Sequence, residues 1–279
     1  MNKFSVIVPA AGLGTRMLPI SKSVPKEILP IISKPAIEYI AEEIVQSSLD
    51  NMILITSKNK DALIDHFDRN IELENICRSK NLNNFDNLDV INIRQKVPLG
   101  SGHAIYTAKN ICGIDPIIVI LPDMIIKNAH VHLTKMIDLY NRTGKMVIAL
   151  MKVPENMAPQ YGIVRIEKDD DLINIIDIVE KPKSPPSNLA VVGRYILPYE
   201  IFNILSTLSP GLNNEIQLTD AIRELMYMEG CIGYIIEDSN TIHDIGNPLG
   251  YIKANISFAL DDESLRNEVI DFINKIILN

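Results

Sequence analysis

Four short, largely apolar runs, residues 4–8, 52–56, 90–93 and 117–121, recur through the first half of the chain with helix-spaced stretches between them. Runs of four or five such residues are too short for a buried helix and suit strands covered on both faces. Strands alternating with helices predict an α/β fold, a mainly parallel sheet flanked by helices. The first run stops at Pro9, and Pro35 stands where the first helix begins. Ile37, Ile40, Ala41, Ile44 and Val45 form its apolar stripe, with Glu38, Glu42 and Glu43 expected elsewhere on the wheel. Further helical segments are expected around 61–67 and 101–110.

After residue 146 the texture changes. Segments 146–153, 162–166, 172–179 and 190–197 are strand-like with few helical patterns between them, which reads as an antiparallel extension or lid. The polar stretch 81–87 and the segments 169–171 and 182–186 read as loops and turns. A helix is expected over 215–229, capped by Asn213 or Asn214 and stopped by Gly230. The tail, 264–278, is an amphipathic helix with Leu265, Val269, Phe272, Ile273 and Ile276 on one face. That face is expected to pack on the parent domain or to meet another subunit.

The net charge of −8, from 35 acidic and 27 basic side chains, excludes a general nucleic-acid binder, which needs a basic face. It leaves room for one small phosphorylated ligand held by a few local cations. Cys77, Cys112 and Cys231 form no CxxC pair, so neither a zinc site nor a disulfide framework is indicated and a reducing compartment fits. The N-terminal apolar run is too short for a signal peptide, and no run approaches membrane-spanning length. A cytoplasmic protein is expected, with no nucleic-acid or membrane partner.

The chemistry begins at Ala10-Ala11-Gly12-Leu13-Gly14-Thr15-Arg16, directly after the first strand. Small residues there let backbone N–H groups approach an anion. A dinucleotide fingerprint is excluded because the third glycine position holds Met17, and a P-loop because Thr15-Arg16 follows Gly14. What remains is a glycine loop delivering an arginine, followed by Lys26. Arginine can fork onto two phosphate oxygens; lysine acts as a point charge.

This opening, with Pro25-Lys26-Glu27-Ile28-Leu29-Pro30 and Lys34-Pro35, closely resembles the bacterial UTP–glucose-1-phosphate uridylyltransferase family. Gln95-Lys96-Val97-Pro98-Leu99-Gly100-Ser101-Gly102-His103-Ala104, Leu121-Pro122-Asp123 and Tyr161-Gly162-Ile163-Val164 follow in the same order. So do Glu180-Lys181-Pro182, Val192-Gly193-Arg194-Tyr195, Glu215-Ile216-Gln217-Leu218-Thr219-Asp220 and Asp244-Ile245-Gly246, carrying the resemblance to about residue 259.

The resemblance implies a Rossmann-like sheet of the nucleotide-diphospho-sugar transferase type in a single domain. Residues 1–145 would be the nucleotide-binding half, 146–260 the sugar-phosphate half, and 261–279 the C-terminal helix. It implies that Ala10, Ala11, Gly12, Gly14 and Thr15 hold the triphosphate of UTP, with Arg16 and Lys26 on phosphate oxygens. Glu27, Gln95, Pro98 and Gly100 would complete the nucleotide site, the Gln95 amide offering donor and acceptor to the base. Asp123 and Asp244 would hold Mg²⁺; where some members carry a second acid after the first, this chain has Met124. Gly162, Glu180 and Lys181 would take glucose 1-phosphate. Neighbours on a strand face opposite ways, so Glu180 and Lys181 can share a ligand only where the strand ends, as Pro182 suggests.

Arg16, Lys26, Asp123 and Lys181 are the expected catalytic set, in a homo-oligomer, dimer or tetramer. Thymidylyl transfer is the nearest rival, although that relative opens with Gly-Gly where this chain has Ala10-Ala11. A silent regulatory paralogue is the other, set against by the survival of every charged site residue. His103 reads as a helix-start residue, and His130 and His132 lack a third metal ligand.

Overall fold

The first strand, β1 (Ser5–Pro9), leads through a series of 3-10 turns into the two-residue strands β2 (Pro30–Ile31) and β3 (Lys34–Pro35), then α1 (Ala36–Gln46). β4 (Asn51–Thr56), α2 (Asp61–Asp65), α3 (Ile71–Ile76), β5 (Asp89–Arg94), α4 (Ser101–Tyr106), β6 (Ile117–Ile120), β7 (Met124–Ile126) and α5 (Ala129–Thr143) follow. Next come β8 (Met146–Lys152), β9 (Gly162–Asp169), β10 (Leu172–Glu180) and β11 (Leu189–Leu197). The chain then runs through α6 (Ile201–Thr207), α7 (Leu218–Glu229), β12 (Cys231–Ile235), β13 (Ile242–Asp244), α8 (Pro248–Asp261) and α9 (Arg266–Ile277). This computed structural model describes residues 3–76, 85–169, 172–211 and 214–277. Cys77, most of the 81–87 loop, the tip of the 169–171 turn, Asn213 and Leu278 lie outside them.

Among the described residues a nine-stranded sheet runs β5-β4-β1-β6-β11-β8-β12-β10-β9. β5, β4, β1 and β6 are parallel, while β11 is antiparallel to both β6 and β8. The antiparallel extension is therefore continuous with the main sheet, with β5, β4, β1 and β6 from before residue 146 on one side of the β6–β11 seam and β11, β8, β12, β10 and β9 on the other. β9 and β10 form its far edge as a hairpin.

The alternation of a strand sorts the core onto two faces. Val6, Val8, Ile118 and Ile120 meet Ile37 and Ile40 of α1 and Leu133 and Met136 of α5. Ile7, Ile117 and Val119 meet Ile105 of α4, Phe202 of α6 and Ile222 of α7. Each such side chain contributes about 1.5–3 kcal/mol by leaving water.

Three readings need correction, and two elements, α5 and α9, add to the rest. β5, expected to be covered on both faces, is an edge strand with Val90 and Ile93 half-buried and Ile91 40 % exposed. Glu43 is not on the open side of α1: it is 3 % exposed, because the buried Arg194 meets it across the interface. α5 was not foreseen; Gly144, at φ 64°, stops it in a left-handed cap. Residues 215–217 are extended rather than helical, since Ile216 N–H donates to Leu99 O and Ile216 O accepts from Gly102 N–H. α7 starts at Leu218 in consequence and ends at Gly230 as expected. In the tail, Leu265 just before α9 and Val269 and Ile273 on it are half-buried but Phe272 and Ile276 stay exposed, so the described residues cover only part of that face. Among the described residues no helix is long and apolar enough to cross a membrane.

Candidate active site

β1 and β6 are parallel neighbours, so the loops leaving their C-terminal ends emerge side by side, where ligands gather in open α/β sheets. One loop carries Ala10 to Arg16; the other carries Asp123. Asp244 arrives from elsewhere: β13 pairs antiparallel with β7, and the register sets Asp244 opposite Met124. Two carboxylates 121 positions apart thereby converge.

Gly246 marks the meeting point. A β-carbon there would lie 2.7 Å from Arg16 Nη2 and 3.0 Å from both Asp123 Oδ2 and Asp244 Oδ1. Lys26 Nζ donates to Asp123 Oδ2 at 2.6 Å. Arg16 lies 4.0 Å from Asp123 and 3.8 Å from Asp244. Burial opposes the charge of Lys26, but Asp123 and Glu27 outweigh it and hold its pKa above the usual value. Burial likewise opposes ionisation of Asp123, yet the Lys26 ammonium and its hydrogen bond draw the carboxyl below its usual range. Asp244 goes the other way, pushed up by burial and then by the nearby Asp123 charge. Two acids of which one is held up are a place where added positive charge is welcome.

A cleft of about 440 Å³ opens beside this cluster. Ala11, Gly12, Gly14 and Thr15 form one wall, with Lys26 and Asp123 at the end. Glu27, Gln95, Pro98 and Gly100 are also on its lining. A second hollow of about 180 Å³ shares Leu121 and Asp123 with the first and adds Arg16, Gly162, Glu180, Lys181 and Asp244. Every expected site residue is thus on one of two adjoining pockets, except Ala10. That residue is fully buried; its N–H donates to Ile55 O and its carbonyl accepts from Lys60, which leaves it shaping the loop rather than facing a ligand.

The strand end foreseen at Glu180-Lys181 is present. β10 stops at Glu180, and Lys181 takes a left-handed backbone, φ 43°, with its N–H on Tyr161 O. The turn lets both side chains line the smaller hollow, where Lys181 Nζ donates to Glu180 Oε1 at 2.7 Å. Gly162 pairs with Glu180 across the hairpin, and a β-carbon on it would approach Glu180 Oε2 to 3.3 Å.

The supporting contacts were not legible in the sequence. Lys60 donates to both Glu27 carboxylate oxygens at 3.0 and 2.9 Å as well as to Ala10 O, tying the glycine loop to the Lys26 segment. Burial lowers its pKa, against the pull of Glu27. Arg194 grips Glu43 through two 2.7 Å bonds and donates to Leu121 O and Met124 O, which bracket Asp123. Thr219 Oγ1 donates to Glu180 Oε2 at 2.9 Å. Arg194 and Thr219 fall within motifs that carry the family resemblance, but no pattern announces these partners, which lie tens of residues away. The Gln95 amide differs from expectation: its Nε2 donates to Gly100 O at 3.1 Å and lies 2.9 Å from His103 Nδ1.

His132 meets Tyr234 through Nδ1 at 3.1 Å rather than a metal site. Among the described residues no group of three or more His, Cys, Asp or Glu could hold a metal ion. A cation at Asp123 and Asp244 would therefore need ligand oxygens or water, which suits Mg²⁺, an ion that takes one or two carboxylates plus phosphate.

The nucleotidyl transferase family model matches residues 5–259. This chain belongs to that family. Within it, the nucleotidyl transferase is 40% identical to UTP–glucose-1-phosphate uridylyltransferase 2 of Staphylococcus saprophyticus, over 98% of each chain. A UTP-bound UGPase from Acinetobacter baumannii superposes with a TM-score of 0.86 at 36% identity, covering 97% of this chain and 98% of that one. A UDP-glucose pyrophosphorylase complexed with UDP-glucose gives 0.84 at 38%, covering 93% and 100%.

Proposed function

We propose that this nucleotidyl transferase joins UTP to α-D-glucose 1-phosphate, forming UDP-glucose and releasing pyrophosphate. The observation that carries this reading is the convergence of Arg16, Lys26 and Asp244 around Asp123, which lines both pockets. The larger has room for a nucleotide; the smaller, lined by a carboxylate, a lysine and a close-approach glycine, suits a hexose phosphate.

The reaction is in-line attack by a sugar-phosphate oxygen on the α-phosphorus, with the bond to the β-phosphate oxygen breaking as the new one forms. A phosphate monoester has a second pKa of about 6, so the nucleophile is already largely dianionic and no general base is required. The obstacle is bringing two anions together: unit charges ~4 Å apart repel by about 4 kcal/mol at an effective dielectric of 20. Lys26 and Arg16, which pair with the acids in the free protein, turn to phosphate oxygens. Lys181 neutralises the sugar phosphate, and Glu180 accepts hydrogen bonds from hexose hydroxyls. Asp123 and Asp244 would hold Mg²⁺, which would supply charge neutralisation on the phosphoryl oxygens and leaving pyrophosphate. Alignment and preorganised charge do the remaining chemistry.

The tail face left open on α9 is consistent with a homo-oligomer, and a cytoplasmic setting belongs to the same reading. A pyrophosphate-release screen over nucleotide and sugar-phosphate pairs, with and without Mg²⁺, tests it. UTP with glucose 1-phosphate and Mg²⁺ should give the fastest release. A clear preference for dTTP would replace the uridylyl assignment, and no release from any pair would leave a binding subunit.

A further inference from the structure

Gln95 is 5 % exposed and still forms part of the nucleotide cleft. Its surroundings dictate which end of the amide a ligand meets. Gly100 O can only accept, so the group 3.1 Å from it must be the amide NH₂; a flipped amide would oppose two oxygens. The second N–H of that nitrogen faces His103 Nδ1 at 2.9 Å. Both donors are then engaged only if Nδ1 is the unprotonated nitrogen and the ring carries its proton on Nε2. Oε1 has no hydrogen-bond partner among the described residues.

Gly100 is itself fixed. Its φ is 96°, and a β-carbon would come within 2.7 Å of Ile216 O. Its carbonyl also accepts from Ala104 N–H at 3.1 Å, so the first turn of α4 holds both groups that orient Gln95.

We infer that His103 is a positioning residue which locks Gln95 so that only its carbonyl oxygen meets the base, selecting nucleotides that present an imide N–H there. Uracil and thymine carry a donor at N3; cytosine carries an acceptor at that atom and would face oxygen with a lone pair. The inference rests on the proposed nucleotide site and adds to it the source of its discrimination. It also assigns that discrimination a limit: His103 has no means of separating uracil from thymine.

The test compares wild type, His103→Leu, His103→Asn and Gln95→Leu for kcat and KM with UTP, CTP and dTTP at saturating glucose 1-phosphate. His103→Leu should reduce the UTP-over-CTP ratio of kcat/KM about tenfold, the scale of one lost hydrogen bond, through KM more than kcat. The UTP-over-dTTP ratio should not move. His103→Asn, which returns an acceptor at the δ position, should restore most of the loss. If His103→Leu leaves the UTP-over-CTP ratio intact while Gln95→Leu collapses it, the positioning role is overturned and the base site stands. If Gln95→Leu also leaves that ratio intact, the nucleotide-site reading falls as well. A ¹⁵N spectrum of the folded protein at neutral pH should show His103 Nδ1 as an unprotonated acceptor, and a protonated Nδ1 would overturn the inference directly.

Discussion

The two sides of the cleft are built on different principles. On the nucleotide side, Glu27, Gln95 and the Glu43–Arg194 pair are 5 % exposed or less, and each is held by two or more hydrogen bonds. On the sugar side, Lys181 is 59 % exposed and, among the described residues, its charged partner is its neighbour Glu180. Buried charges must be paired, and pairing fixes them. A lysine at an exposed strand end keeps its rotamers and can swing onto a ligand. The frame of the first side is therefore set before binding, with Arg16 and Lys26 left to turn onto phosphate, and the second completes itself around its ligand.

If this contrast is right, changes on the nucleotide side should register in kcat, and in stability as well where the side chain is buried in the core, and changes on the sugar side in KM. The largest effect is expected from Lys26→Ala and Asp123→Asn, each lowering kcat about 10²–10³-fold, the scale of a lost preorganised electrostatic contact. Their melting temperatures should stay near wild type, because both residues lie at the cleft rather than in the core. Wild-type-like rates in either would remove its role.

Next is Arg194→Met, which strands the Glu43 carboxylate and should destabilise the fold by about 3 kcal/mol in denaturant titrations. Combining it with Glu43→Leu should recover much of that stability. Turnover should remain depressed, because Leu121 O and Met124 O lose the donor that pins the Asp123 loop. Recovery of both together would make the pair purely structural.

On the sugar side, Lys181→Ala should raise KM for glucose 1-phosphate about tenfold, or about 1.4 kcal/mol, while KM for UTP stays within about twofold. Equal changes in both constants would erase the distinction between the two sides. The smallest effect belongs to Gly162→Ala. Its new methyl is tight only against the movable end of Glu180, with Val191 at ordinary contact distance, so KM for the sugar phosphate should rise by no more than a few-fold. A collapse of activity there would show that the sugar side is as rigid as its counterpart.

What could be read from the chain beforehand follows the same division. Strands 5–9, 51–56 and 117–120 announce themselves because burial on both faces makes an uninterrupted apolar run, and the glycine loop because it interrupts one. Lys26, Asp123 and Asp244 could be picked out by family resemblance, though only the β7–β13 register explains how the two acids meet. Glu43 and Lys60 could not. Each looks like an ordinary surface charge until the fold brings Arg194 or Glu27 against it, and periodicity carries no information about a partner 151 or 33 residues away. The segment 215–217 misled for a related reason: its composition suits a helix, but Leu99 and Gly102 claim its backbone.

The account stands on a single cleft in which the cations and acids at Gly246 lie between a nucleotide and a sugar. A crystal structure of the protein with UDP-glucose and Mg²⁺ tests this most directly. It should show the base at Gln95, the metal and diphosphate among Lys26, Arg16, Asp123 and Asp244, and the hexose against Gly162 and Glu180. A ligand whose diphosphate lies away from Asp123 and Asp244, or whose hexose avoids the end of β10, would contradict it.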